Sequence, residues 1–152
     1  MQFKGGGFRV IIVSSALDDL NRHRQGSADP ESGGIILGYL FSDRLEVIEI
    51  VPPSAFDLAG PRSFVRSRHR AQQAIDEAWA RSQGRLNYVG EWHSHAEHAP
   101  SPSQQDKRMA DSALTTTRME LDALIMVILG MTGRLWVGVQ TRSNLLPLLV
   151  SS

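Results

Sequence analysis

The chain is built from short β-branched runs and from stretches whose apolar residues recur every three or four positions. Phe8 to Ser14 is brief and β-branched, so it reads as a buried strand. Ser14 or Ser15 can cap a helix running to about Gln25, with Leu17 and Leu20 inward and Asp18 and Asp19 near its positive end. Gly26-Ser27-Ala28-Asp29-Pro30 breaks that helix. Glu31 to Leu40 predicts a strand that opens on an acid and then Gly33 and Gly34; glycines inside a strand pattern imply a bulge or a close backbone approach. Leu45 to Val51 is a further strand, paired with it by a hairpin around Ser42-Asp43, and Pro52 to Arg62 is a loop. Ala71, Ala74, Ile75, Ala78 and Trp79 form one apolar stripe of a helix from about Phe64 to Gln83, which Gly84 ends. Leu86 to His95 is strand-like and Ser103 to about Thr117 helical. Ala123–Leu129, Leu135–Gln140 and Leu145–Val150 are strands, with a turn at Met131-Thr132-Gly133. Strands and helices mix without regular βαβ alternation. The expected class is therefore α+β, a three-layer α/β/α arrangement with a mixed β-sheet flanked by helices.

Composition narrows this picture. At 152 residues the chain is a single domain over 1–152, large enough to bury a core without staples. Sixteen basic and sixteen acidic side chains cancel, so no global field favours nucleic acid or an anionic membrane. There is no cysteine, which excludes disulfides, a thiol nucleophile and thiolate metal ligands. Any metal chemistry falls to His, Asp and Glu. The longest apolar run, Ala123 to Leu129, is far short of the ~20 residues that cross a bilayer. Lys4 and three glycines near the start do not make a signal peptide. The expectation is a soluble, cytoplasmic protein.

The candidate chemistry lies between Glu91 and Asp106. His93 and His95 sit two apart on the predicted strand, hence on one face and about 6.5 Å apart along it. Such a pair is by itself more often a chance pair on a polar face than a ligand pair, and Ser103-x-x-Asp106 is by itself most simply a capping box. Together they allow two imidazoles and a carboxylate to converge on one divalent ion. Three N and O ligands with a fourth position left for water is the pattern of a catalytic zinc. Trp92 and Ser94 should point to the opposite face. His98 reads as a loop residue, and His23 and His69 as exposed. Arg62, Arg66, Arg68, His69 and Arg70 read as a solvated helix end, or as a surface for an acidic partner.

His93-x-His95, seven residues, then Ser103-x-x-Asp106 resembles the signature of the JAMM/MPN+ (JAB) zinc metallopeptidases. Glu31-Ser32-Gly33-Gly34-Ile35-Ile36-Leu37-Gly38 looks like the glutamate-led segment of the prokaryotic JAB branch. Gly90 to Glu97 differs from that branch's usual run only at Ala96, where proline is usual and whose loss is expected to loosen the loop toward Asp106. The resemblance spans Phe8 to about Gln140 and implies the MPN/JAB (cytidine-deaminase-like) fold. It implies one Zn²⁺ per chain held by His93, His95 and Asp106, Glu31 as general base and then general acid, and Ser103 as donor to the developing oxyanion. Capping and catalysis are expected to conflict in part. An Asp106 bound to zinc should be unable to reach back to the Ser103 amide, and the one Ser103 proton can serve only one acceptor. By resemblance the substrate is an isopeptide or peptide bond after the C-terminus of a ubiquitin-like or conjugated protein. E1- and E2-like proteins of one antiphage operon, of the CBASS kind, are the implied partners, with no nucleic acid and no membrane. Hydrolysis of a ubiquitin-like sulfur carrier is the alternative enzyme. A scaffold MPN domain is the non-enzymatic one, although such domains generally lack the ligands present here.

Overall fold

The computed structural model describes residues 1–116 and 122–152. In chain order the first half comprises β1 (Gln2–Gly5), β2 (Phe8–Ile12), α1 (Ser14–Asn21), β3 (Gly33–Leu40), β4 (Leu45–Ile50), β5 (Leu58–Gly60) and β6 (Ser63–Val65). The second half comprises α2 (Arg68–Arg81), β7 (Asn87–Ser94), α3 (Gln104–Thr116), β8 (Ala123–Leu129), β9 (Leu135–Thr141) and β10 (Leu145–Ser151). The fold is mixed α+β. Among the described residues, eight strands close into a barrel in the order β1-β10-β9-β8-β7-β3-β4-β2, and β5 and β6 form a separate small sheet.

The α+β class is as expected, but the mixed sheet closes into a barrel where three layers were expected. Closure depends on β1, which pairs with β2 on one side and β10 on the other. This strand has only four residues, too few to show a period in sequence. The helices nevertheless cover both faces of the sheet. Ala16 and Leu20 of α1 pack with Val10, Ile36, Val47, Val89, Trp92 and Val127 in one core. Ala71 and Ala78 of α2 and Ala110 of α3 pack with Ile35, Leu37, Leu124, Met126 and Ile128 in another. Alternate residues of β3 and β8 thus bury themselves on opposite sides, which is why these strands read as continuous apolar runs.

Several local expectations change. Val13, not a serine, precedes α1; it makes no side-chain cap bond, and Ser14 already lies inside the helix. No acid falls in the first turn, so Asp18 and Asp19 sit beyond the reach of the helix end's positive charge. The helix stops at Asn21, where Arg22 and His23 turn back to the Asp19 and Leu20 carbonyls in tightened bonds. His23 is half-buried against Trp92, ring centroids 5.2 Å apart, rather than exposed. Residues expected as loop and helix start instead form the β5–β6 hairpin, in which Phe64 pairs with Ala59. Burial of Phe64 overrides its place in the helical pattern, so α2 begins after the Ser67 cap. Trp79 is half exposed and rests on Gly84. The expected end of α3 at about Thr117 lies outside the described residues.

The arrangement that positions the site is the pair β7–β8, which runs parallel. Parallel neighbours need a crossover, and α3 lies on it. The first turn of α3 therefore returns beside the C-terminal end of β7.

Candidate metal centre

Strand alternation sets the first two side chains. Trp92 and Ser94 turn to the α1 side, where Trp92 is 1% exposed and donates to the Val51 carbonyl at 3.0 Å. His93 and His95 turn the other way, their ring centroids 4.9 Å apart. The chain stays extended past Ser94 because the His95 amide donates to the Leu129 carbonyl. The loop that follows is tied to the β8–β9 turn, with the Met131 amide donating to the Glu97 carbonyl. Ala96 sits within that tethered stretch.

Asp106 comes from the first turn of α3. Its Oδ2 accepts from the Ser103 amide at 2.7 Å, and its own amide donates to Ser103 Oγ at 3.1 Å, a reciprocal cap. The same carboxylate faces both rings, with Oδ1 3.1 Å from His93 Nε2 and Oδ2 3.3 Å from His95 Nε2. One carboxylate thus caps the helix and faces both rings at once. A carboxylate has about four lone-pair sites, enough to cap a helix and face a cation together. Ser103 Oγ acts as acceptor in the cap, so its proton is not consumed by it.

These residues suit a metal ion. One ligand atom from each of His93, His95 and Asp106 lies within 4.8 Å of the others. All three residues are buried, and His93 Nε2 has no hydrogen-bond partner of acceptable geometry among the described residues. A buried nitrogen without a partner is costly in an ordinary protein and expected of a ligand. Burial pushes the Asp106 carboxyl up, but the two rings and the Ser103 amide outweigh it and hold it well below the usual carboxylate range. Burial alone would lower His95; Asp106, Glu31 and Glu97 around it leave it above the ordinary histidine value.

Glu31 joins from the segment just before β3, with Oε1 3.9 Å from His95 Nε2. Burial raises its carboxyl against the pull of His93 and His95. Its amide donates to the Gly60 carbonyl of the β5–β6 hairpin at 2.8 Å. Gly33 and Gly34 pair with His93 and Trp92. A Cβ on Gly33 would lie 2.5 Å from the Phe64 ring, and one on Gly34 would lie 2.1 Å from the Val51 carbonyl oxygen. The predicted close approach is real at these two positions. Only without side chains there can the Glu31 end of β3 come this near.

Other expectations divide. His98 and His69 are exposed, as are Arg62, Arg68 and Arg70. Arg66 is not part of a solvated helix end. Its Nε lies 2.9 Å from both Glu91 carboxylate oxygens, and the Tyr88 hydroxyl donates to Glu91 Oε1 at 2.7 Å. Sequence reasoning missed this triad because Arg66 and Glu91 are separated by all of α2. It lines a cleft of about 420 Å³ between α2 and α3 that opens onto His93 and Asp106. Gln25, assigned only to a helix end, is also buried behind the site.

Residues 13–139 match the model of the prokaryotic homologues of the JAB domain, and the chain belongs to that family. It is a metallopeptidase domain of the JAMM type. Over 137 residues it is 29% identical to a CD-NTase/cGAS isopeptidase of Escherichia coli, covering 90% of this chain and 85% of the relative. A protein of the same description from Pseudomonas aeruginosa is 31% identical over 117 residues, covering 76% of this chain and 73% of that one. A probable metalloprotease of Sinorhizobium fredii is 27% identical over 143 residues, covering 89% and 84%. The solution structure of a Desulfitobacterium hafniense protein superposes with a TM-score of 0.67 over 91% of this chain and 88% of that one. At 17% identity it shares the fold alone.

Proposed function

We propose that the chain is a zinc isopeptidase that releases a conjugated CD-NTase, or a comparable protein, from its attachment in a bacterial antiphage system. The observation that carries this is the convergence of His93, His95 and Asp106 with Glu31 poised 3.9 Å from His95. Relatives described as CD-NTase/cGAS isopeptidases supply the substrate class. His93, His95 and Asp106 hold the ion. Zinc there supplies a Lewis acid that makes water a competent nucleophile near neutral pH.

The chain's own residues do the rest. Glu31 accepts a proton from the attacking water as its oxygen bonds to the carbonyl carbon. As the C–N bond breaks, Glu31 returns that proton to the departing amine. Burial suits this exchange because it raises the carboxyl toward the working pH. Ser103, with its proton free of the helix cap, donates to the carbonyl oxygen as negative charge develops there. The α2–α3 cleft, which reaches His93 and Asp106, takes the polypeptide on one side of the scissile bond. A chain without cysteine suits a reducing cytoplasm.

The test is cleavage of a CD-NTase conjugate made by its own E1- and E2-like proteins. Release of intact CD-NTase by zinc-loaded protein, and none after chelation, is the expected result. Hydrolysis of a ubiquitin-like sulfur carrier, with the conjugate left intact, would overturn the substrate assignment.

A further inference from the structure

Gln25 and Ser94 are 3% and 0% exposed and lie behind the metal centre, on the side of β7 away from the ligands. Gln25 Nε2 donates to the Asp29 carbonyl at 2.8 Å and to the Pro61 carbonyl at 3.1 Å. The Ser94 hydroxyl donates to Gln25 Oε1 at 3.1 Å and accepts from the Ser32 amide at 2.9 Å. The Ser94 amide donates to the Ser32 carbonyl at 2.8 Å, and the Glu31 amide donates to Gly60, the residue before Pro61, at 2.8 Å. One carboxamide thus joins the loop that leads into Glu31, the turn of the β5–β6 hairpin and the ligand strand.

A buried carboxamide is costly unless its groups are bonded, and an apolar side chain of equal size would fill the same space without that requirement. Here both a donor pair and an acceptor are used, and each bond ends on a segment that flanks the same carboxylate. The ligands have further supports that do not involve Gln25, the pairing of β7 with β8 and the Ser103 cap.

We propose that Gln25 is a positioning residue for Glu31. Acting through Ser94 and the Asp29 and Pro61 carbonyls, it holds the backbone on both sides of that carboxylate against the ligand strand and leaves the metal ligands untouched. This rests on the assignment of Glu31 as base.

Residue-resolved hydrogen exchange on the full chain needs no substrate and comes first. In Gln25→Met, the Glu31 and Ser32 amides should lose roughly fivefold to tenfold protection while β8 and β9 amides keep theirs. Zinc per chain should be unchanged. With a conjugate in hand, kcat should fall by ~10- to 100-fold at constant KM. Ser94→Ala should expose the Ser32 amide and lower kcat less, because Gln25 keeps its two carbonyl bonds. Unchanged protection at Glu31 and Ser32 in Gln25→Met overturns the proposal. So does a loss spread evenly into β8 and β9, which would mark a residue of general stability. Where Gln25→Met does not fold, Ser94→Ala with Ser32 protection intact overturns it equally. Failure of the unaltered protein to cleave any conjugate would count against the assigned reaction, whereas the exchange pattern still decides the role of Gln25.

Discussion

The two halves of the site are assembled differently. His93, His95 and Asp106 belong to one continuous stretch, a strand end and the helix that leaves it. Their geometry follows from strand alternation, one extended residue beyond β7 and a helix cap. Glu31 belongs to no regular element. Its amide is held by Gly60 of a hairpin, the adjacent Ser32 by Ser94 of another strand, and the glycines that follow let Phe64 and Val51 come close. The proposed ligand half comes from one stretch of chain; the proposed base half exists only when four distant segments meet. Metal binding and hydrolysis should therefore separate under mutation.

The sharpest way to break that separation is Asp106→Ala. It should reduce hydrolysis to background and zinc to well below one per chain, measured by metal analysis after dialysis. Full zinc occupancy there would remove Asp106 from the ligands. Glu31→Gln should lower kcat by ~10²- to 10⁴-fold with zinc still bound; zinc loss in this variant would show that the two halves are not independent. Ser103→Ala should cost ~10²- to 10³-fold in kcat, and removal of the cap should separately take about 1 kcal/mol from stability in urea titration.

Gly33→Ala strikes the base half through packing alone. Its Cβ meets the Phe64 ring and the Trp92 carbonyl. A loss of ~1–3 kcal/mol in stability is expected, with reduced kcat and normal zinc. An unaltered kcat would show that hairpin and base are not coupled.

The smallest effect expected is on pH dependence after zinc is stripped. Asp106 is held low in the folded chain, so the stability it contributes is present above the ordinary carboxylate range and lost as pH falls through its lowered value. His95 is raised, so its contribution is present below the ordinary histidine value and lost as pH rises through its raised one. Urea midpoints of the stripped protein should peak between these two ranges and fall on either side. A flat profile would mean that the pair is not coupled without metal.

Most elements were legible in the sequence because apolar period and turn residues announce them. The β3–β4 hairpin, β7, β8 and the start of α3 fall where the pattern puts them. The convergence of His93, His95 and Asp106 was equally legible, since their spacing is that of one strand and one helix cap. The β5–β6 hairpin was not. Its strands are three residues each, too short for any period, and Phe64 happens to fit the helical stripe that follows. Gln25 looked like the end of a polar helix because nothing local distinguishes a buried carboxamide from a solvated one.

Sequence alone determined the residue types of the site, the face they share and the order in which they come. Closure of the barrel, the tether of the hairpin to Glu31 and the pairing of Arg66 with Glu91 were decided by tertiary structure. The reason is physical. Period, capping and turn preference act over a few residues, whereas β1 closing between β2 and β10, or Gln25 meeting Ser94 across 69 positions, depends on burial that no local segment can specify.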